Sequence, residues 1–290
     1  MSTRLQRVQL SVITNYGREA LGNRRKELFL IALFLLVIPD LLDLFIWQKA
    51  STLTVQAFKG MSHLAPLAQI EALASVTSSQ VTLPIIIISL VKVLGVLMLA
   101  RTTVDYFESR PSPLRSVASR SARTLLTKGI GALIFMMIAV PLTSVIPFLF
   151  VITMSLLVML PVTLVSSSHG GFRTSMDTLF LKYAATARGG KMAIFMNILP
   201  VTGFFLTTMI GMTFLLNQVP VLDVLLEIPA GFFAKDISFL EGSINAARFL
   251  ADVLIIFWQA LSLAVVIPFT GAIYHLTTAP EDHEEFVTVA

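Results

Sequence analysis

The sequence predicts an all-α integral membrane protein, a bundle of about six transmembrane helices with amphipathic interfacial helices on the cytoplasmic side. Three observations carry this. Hydrophobic residues make up 56% of the chain and charged residues 13%, with a mean hydropathy of +0.84, whereas ordinary soluble domains are about 25% charged. Apolar runs of about 20 residues, the length that crosses a hydrocarbon core, recur between Leu28 and Leu276. Apart from Lys92, the cations gather beside alternate ends of those runs, sixteen on one side against Lys49, Lys59, Lys235 and Arg248 on the other. That asymmetry marks the cytoplasmic flanks. The chain therefore divides into a cytoplasmic amphipathic lead-in over 1–27, a six-helix transmembrane domain over 28–276 and an acidic cytoplasmic tail over 277–290.

The lead-in holds Arg4, Arg7, Arg18, Arg24, Arg25 and Lys26, with no acid before Glu19. As a helix it lines Leu5, Val8, Val12 and Tyr16 along one face and sets Arg4, Arg7 and Thr14 opposite, the pattern of a segment lying on a membrane surface. A first span is expected over Leu28–Trp47, with Trp47 as interfacial anchor, and a second over Val81–Ala100. Asp40 and Asp43 fall in the first and Lys92 near the middle of the second. A lysine at that depth costs roughly 2.5–3.5 kcal/mol on insertion scales, so it needs a partner, a cavity or a route to the headgroups. Antiparallel threading brings Asp40 within about one helical turn of the depth of Lys92. The two are a candidate intramembrane ion pair, structural in the simpler reading and part of an ion or proton path in the other.

Arg101 to Lys128 returns to the basic side. Ser112-Pro113 reads as an N-cap followed by proline at the first helical position. The helix after it would present Leu114, Val117, Ala118, Ala122 and Leu125 on one side, with Arg115, Ser116, Arg120 and Arg123 elsewhere, as an interfacial helix leading into the next span. Gly129–Val165 holds too many apolar residues for one crossing of a core about 30 Å thick. Pro141 and Pro147 place a turn inside it, and the fourth span is expected over Phe148–Val165. The connector Ser166–Lys191 follows, with Gly170-Gly171 and Gly189-Gly190 as helix start and stop. Phe172, Met176, Leu179, Phe180 and Tyr183 share its apolar face. With Arg173, Lys182, Arg188 and Lys191 they form a candidate contact for anionic lipid headgroups or a partner protein. A fifth span over Met192–Leu216, an acidic outer segment over Asn217–Ala247 and a sixth span over Arg248–Leu276 complete the pattern, and both termini fall inside.

Reaction chemistry is not legible. The chain has no cysteine, which excludes disulfides, thiolate metal sites and cysteine nucleophiles. His63, His169, His275 and His283 fall at no metal-ligand spacing, and there is no HExxH helix, GxSxG elbow or Gly-rich nucleotide loop. No enzyme activity, cofactor or metal is expected. Membrane orientation accounts for the net charge of +4 without a nucleic-acid partner.

In the order of its weak motifs the chain resembles the YciC-like bacterial inner-membrane proteins and the related membrane domain of membrane-anchored glycerophosphodiester phosphodiesterases. The resemblance covers most of the chain. It rests on the basic lead-in Tyr16 to Lys26, the basic segment with Ser112-Pro113 and the Ile146-Pro147 turn. To these it adds the run Leu160-Pro161-Val162 before Gly170-Gly171, the Phe172 to Lys182 helix, and Pro268 to Leu276 with Tyr274. The family often has glycine after the turn proline, where this chain has Phe148. The resemblance implies a six-helix membrane module, and the phosphodiesterase catalytic domain is missing. Ala184-Ala185, Gly189 and Ile198-Leu199-Pro200 also resemble the coupling motif of ABC importer permeases, with Tyr183 in place of the usual glutamate. The expected function is a membrane scaffold or envelope-homeostasis module of a bacterial inner membrane, and the alternative is a permease-like subunit with a separate ATPase partner. A mitochondrial inner membrane is the alternative location, because the lead-in also suits an uncleaved mitochondrial-type leader.

The cation asymmetry makes a topological prediction, and the absence of native cysteine makes it clean to test. In sealed cells, cysteine at Ser62 or Ser238 should react with a membrane-impermeant thiol reagent, and cysteine at Ser119 or Thr178 should not. Labelling at Ser119 would reverse the orientation.

Overall fold

The computed structural model describes residues 10–46, 83–110, 113–135, 138, 158–166, 203, 236–239 and 242–278. Their regular structure is helical apart from one short hairpin. Helix α1 runs over Leu10–Ala32 and passes through a π-helical turn, Leu33–Val37, to reach Ile46. No break marks the expected boundary between lead-in and span at Glu27 and Leu28. The π-helical turn has a sequence cause. Pro39 has no N–H to return to the carbonyl of Leu35, and a turn of wider pitch just before it takes up the lost register. Helix α2, Leu83–Phe107, outlasts the expected span by seven residues and carries Arg101 and Asp105 within it.

Helix α3, Leu114–Thr124, continues through a second π-helical turn, Leu125–Gly129, to residue 135. In that turn the Ile130 N–H reaches back five residues to the Leu125 carbonyl. Residues 158–166 form a helical segment, α4, at the end of the expected fourth span. Strands β1, Asp236–Phe239, and β2, Gly242–Asn245, pair antiparallel with Asp236 opposite Asn245 and Phe239 opposite Gly242. They lead directly into helix α5, Ala246–Thr278, which begins within two residues of the expected sixth span.

Three stretches among the described residues are long and apolar enough to cross a membrane: Ser11–Ile46, Leu83–Phe107 and Phe249–Leu276. At 1.5 Å per residue the shortest, 25 residues, reaches about 37 Å, more than a hydrocarbon core of about 30 Å requires. Each also turns a row of large apolar side chains outward. These are Phe29, Phe34, Ile38 and Leu42 on α1, Leu83, Ile86 and Ile87 on α2, and Leu250, Leu254, Phe257 and Leu261 on α5. Contiguous apolar surface of that kind suits lipid and is unsuited to water.

The chain divides into two packing units. The first draws on Met1–Ala32, Val93–Thr207 and Leu261–Ala290, the second on Leu33–Lys92 and Thr208–Ala260. In the first, Ile13, Leu97, Leu99, Val117, Met159 and Ile273 are fully buried. Close approach there depends on glycine. A Cβ on Gly17 would stand 2.6 Å from the Phe269 ring, and one on Gly271 would run into the Thr103 methyl group. Phe107 stacks on His275 at 5.2 Å between ring centroids and meets Tyr16 at 6.4 Å. The Tyr106 hydroxyl donates to Glu19 Oε1 and accepts from Asn23 Nδ2, each at 2.8 Å, which ties α1 to α2 by polar bonds as well. In the second unit Leu36, Val37, Ile88 and Ile256 are buried, and Phe45 meets Phe249 at 6.1 Å.

The end of α2 is a Schellman turn. The Arg110 N–H donates to the Asp105 carbonyl at 2.8 Å and the Ser109 N–H to the Tyr106 carbonyl at 3.1 Å, with Ser109 at φ 52°. After it, Pro113 takes the N-cap position of α3 with extended backbone, φ −62° and ψ 137°, and its carbonyl accepts from Ser116 and Val117. This corrects the expected cap by one residue: proline is the flanking residue and Leu114 the first helical one.

The glycines give opposed predictions. Gly271→Ala should destabilise the detergent-solubilised protein by about 1–3 kcal/mol through overpacking against Thr103. Gly22 is exposed in α1, and a methyl group there would meet nothing within 4 Å, so its replacement by alanine should add about 1 kcal/mol from helix propensity. Thermal unfolding of the two variants checks both signs.

Candidate functional site

Two polar constellations lie within the described helices, one in each packing unit. The first is built from residues three, four and seven apart, which share a face of a helix. On α2 these are Arg101, Thr102 and Asp105; on α3 and its continuation they are Val117, Ser121, Thr124 and Lys128, with Arg120 beside them. Asp105 is fully buried and accepts a two-pronged bond from Arg120, Nη1 to Oδ1 at 3.1 Å and Nη2 to Oδ2 at 2.6 Å. Arg101 lies one turn away on α2 and donates Nη2 to Thr124 Oγ1 at 3.2 Å, while that hydroxyl donates to the Arg120 carbonyl at 3.0 Å. Lys128, also buried, donates Nζ to the Leu164 carbonyl of α4 at 3.4 Å. Burial, and then the nearby Arg101 guanidinium, push its ammonium below the ordinary lysine range. Among the described residues Asp105 is the one buried carboxylate beside these cations, with Glu108 further from Arg101.

This packed face is not the apolar side that the sequence assigns to the membrane surface. Leu114 is 40% exposed, and the buried positions are Val117, Ser121, Thr124 and Lys128. The helix therefore turns a mostly polar stripe toward α2, because that is where its arginine finds the buried acid. The signal that could have revealed this is the spacing of Arg101 and Asp105, four apart at the end of an apolar helix, opposite a second run in which hydroxyls recur on one face.

The second constellation is the pair placed by depth. Lys92 Nζ and Asp40 Oδ1 form an ion pair, with Asp40 14% and Lys92 37% exposed. Asp43 lies one turn further along α1, and its Oδ1 is buried without a hydrogen-bond partner. Lys92 therefore faces two carboxylates, the reverse of the balance around Asp105. The candidate contact residues Phe172, Arg173, Met176, Phe180, Lys182, Arg188 and Lys191 lie outside the described residues. Among the described residues no group of three metal-ligating side chains converges.

No family model, curated protein or solved structure matches this chain.

What either constellation can do follows from its chemistry. The Asp105–Arg120 fork fixes geometry, since a bidentate guanidinium–carboxylate pair holds both orientation and distance. Removing one partner of such a buried pair should cost about 3–5 kcal/mol, while replacing both should be much closer to neutral. Asp105→Asn should accordingly lower thermal stability in detergent, and Arg120→Met added to it should restore part of the loss. At Asp40 and Lys92 the same cycle should give coupling of the same sign but smaller size, because Asp40 is less buried than Asp105 and its partner makes no two-pronged bond. Strict additivity at either pair would mean that the two side chains act independently.

Proposed function

We propose that the chain is a six-span protein of a bacterial inner membrane, with both termini cytoplasmic. In this reading it acts without catalysis as a scaffold or envelope-homeostasis module whose basic face holds anionic lipid headgroups. The observation that carries the reading is the placement of the basic residues at the end of α2 and along α3 and its continuation. Arg101, Arg120 and Lys128 are packed into the helix seam through Thr124, Asp105 and the Leu164 carbonyl. The basic side is therefore a built surface with fixed charges, to which the cations of the connector would add. The resemblance to YciC-like proteins supports the same reading, as does the lack of any nucleophile, metal or nucleotide motif in the sequence.

Anionic lipids are attracted by about 1 kcal/mol for each cation near the surface. The protein extracted with its lipid annulus should therefore carry phosphatidylglycerol or cardiolipin above their share of the membrane. Replacing Arg173, Lys182, Arg188 and Lys191 by glutamine should reduce that excess, as read by mass spectrometry of the co-purified lipid. An annulus with bulk composition, together with a co-purifying ATPase subunit, would replace this reading with that of a transporter permease.

A further inference from the structure

The seam between α2 and α3 has too many donors for its acceptors. Among the described residues, four buried side-chain polar atoms lack a hydrogen-bond partner, and three of them belong to these two helices: Arg101 Nε and Thr102 Oγ1 on α2 and Ser121 Oγ on α3. The hydroxyls are the telling pair. The other buried helical threonines named here return their proton to their own helix, Thr103 to the Leu99 carbonyl, Thr124 to that of Arg120, Thr163 to that of Leu160 and Thr270 to that of Ile267. This local bond is the ordinary way for a helical hydroxyl to be satisfied away from water. Thr102, 1% exposed, and Ser121, 0% exposed, do not make it.

Charge points the same way. Asp105 is the one buried acid among the described side chains near Arg101, and both of its oxygens are engaged by Arg120; Glu108, further off and exposed, pairs with Arg110, so the Arg101 guanidinium has no carboxylate bonded to it. Unused buried O–H and N–H donors beside arginine side chains are unfavourable unless an anion with several acceptor oxygens joins them. We propose that this seam is a phosphate-binding site, in which Arg101, Thr102 and Ser121 donate to the phosphate oxygens and Lys128 adds positive charge from the side. Arg101 and Arg120, each partly exposed, form its rim and its way in. The inference rests on the reading above, that the basic face meets anionic headgroups, and adds to it a single saturable site. The phosphate is that of a phospholipid headgroup or of free phosphate, which offer the same oxygens.

The test uses the full-length protein in a neutral detergent, titrated separately with short-chain phosphatidylglycerol, short-chain phosphatidylcholine and inorganic phosphate. Thermal shift and native mass spectrometry are the readouts. One equivalent should bind saturably from one of the two phosphate sources. Preference for phosphatidylglycerol over both other ligands identifies a lipid headgroup, and a response to inorganic phosphate alone identifies the free anion. Ser121→Ala and Thr102→Val should each weaken binding about tenfold, the size expected for a hydrogen bond to a charged group. Ser121→Thr and Thr102→Ser should retain it. Arg101→Lys, which keeps the charge and loses the Nε–H, should weaken it as well and serves where an alanine variant does not fold. No saturable response to either source, or equal binding by the wild type and all three weakening variants, overturns the site. If the connector variant loses its annular lipid while the seam variants bind as wild type, the site alone fails; if the connector variant loses none while the seam variants weaken, the surface reading alone fails.

Discussion

The carboxyl group of Asp105 is the point on which the first packing unit depends. A charge with no exposure is tolerated only where it is paired and hydrogen-bonded, and here one residue is held twice. Its side chain takes the fork of Arg120 from α3, and its backbone carbonyl takes the Arg110 N–H that closes the turn between the two helices. The direction in which the chain leaves α2 and the face that α3 turns back are therefore fixed by the same residue. Ser109 accepts a left-handed backbone to make the turn, a conformation that costs an L-residue roughly 1–2 kcal/mol.

Lipid removes the usual reason for helices to associate, because apolar side chains gain nothing by leaving one hydrocarbon for another. The packing here follows from that. Large residues such as Phe34, Ile38, Leu254 and Phe257 face outward. The contacts between helices use glycine, aromatic rings and polar bonds: Gly17 under Phe269, Gly271 against Thr103, Tyr106 between Glu19 and Asn23. Such contacts are short-ranged and directional, so they specify one arrangement where a uniformly greasy seam would allow several.

Legibility in the sequence follows the same division. The existence and approximate limits of α2 and α5 can be read, because a run of apolar residues has no other stable use at that length. Asp40 and Lys92 can be matched because each is conspicuous in an apolar span and depth is simple arithmetic along two helices. Asp105 and Arg120 cannot. Both stand in a stretch rich in charge, where the positive-inside bias already explains every arginine, and nothing local distinguishes the one that turns inward. The buried face of α3 is hidden for a related reason, since an amphipathic pattern identifies an apolar face, while the buried acid recruits a polar one. The hairpin of Asp236–Phe239 and Gly242–Asn245 has strands of four residues each, too short for alternation to stand out. Of the two π-helical turns among the described residues, the first has a legible cause in Pro39, and the turn at Leu125–Gly129 has none.

The two constellations also differ in what they ask of their surroundings. Around Asp40, Asp43 and Lys92 the acids outnumber the cation, and Lys92 has a flexible stem and partial exposure, so the group can adjust to solvent or headgroups. Around Asp105 the unused donors are Arg101 Nε and two short side chains, Thr102 and Ser121, with no freedom to reach elsewhere. Buried donors of that kind must be met by something that comes to them, and their chemistry limits what that can be. A carbonyl or a water could satisfy one hydroxyl, but only an anion meets the hydroxyls and the charge together, and a phosphate bears both the oxygens and the charge that the seam lacks.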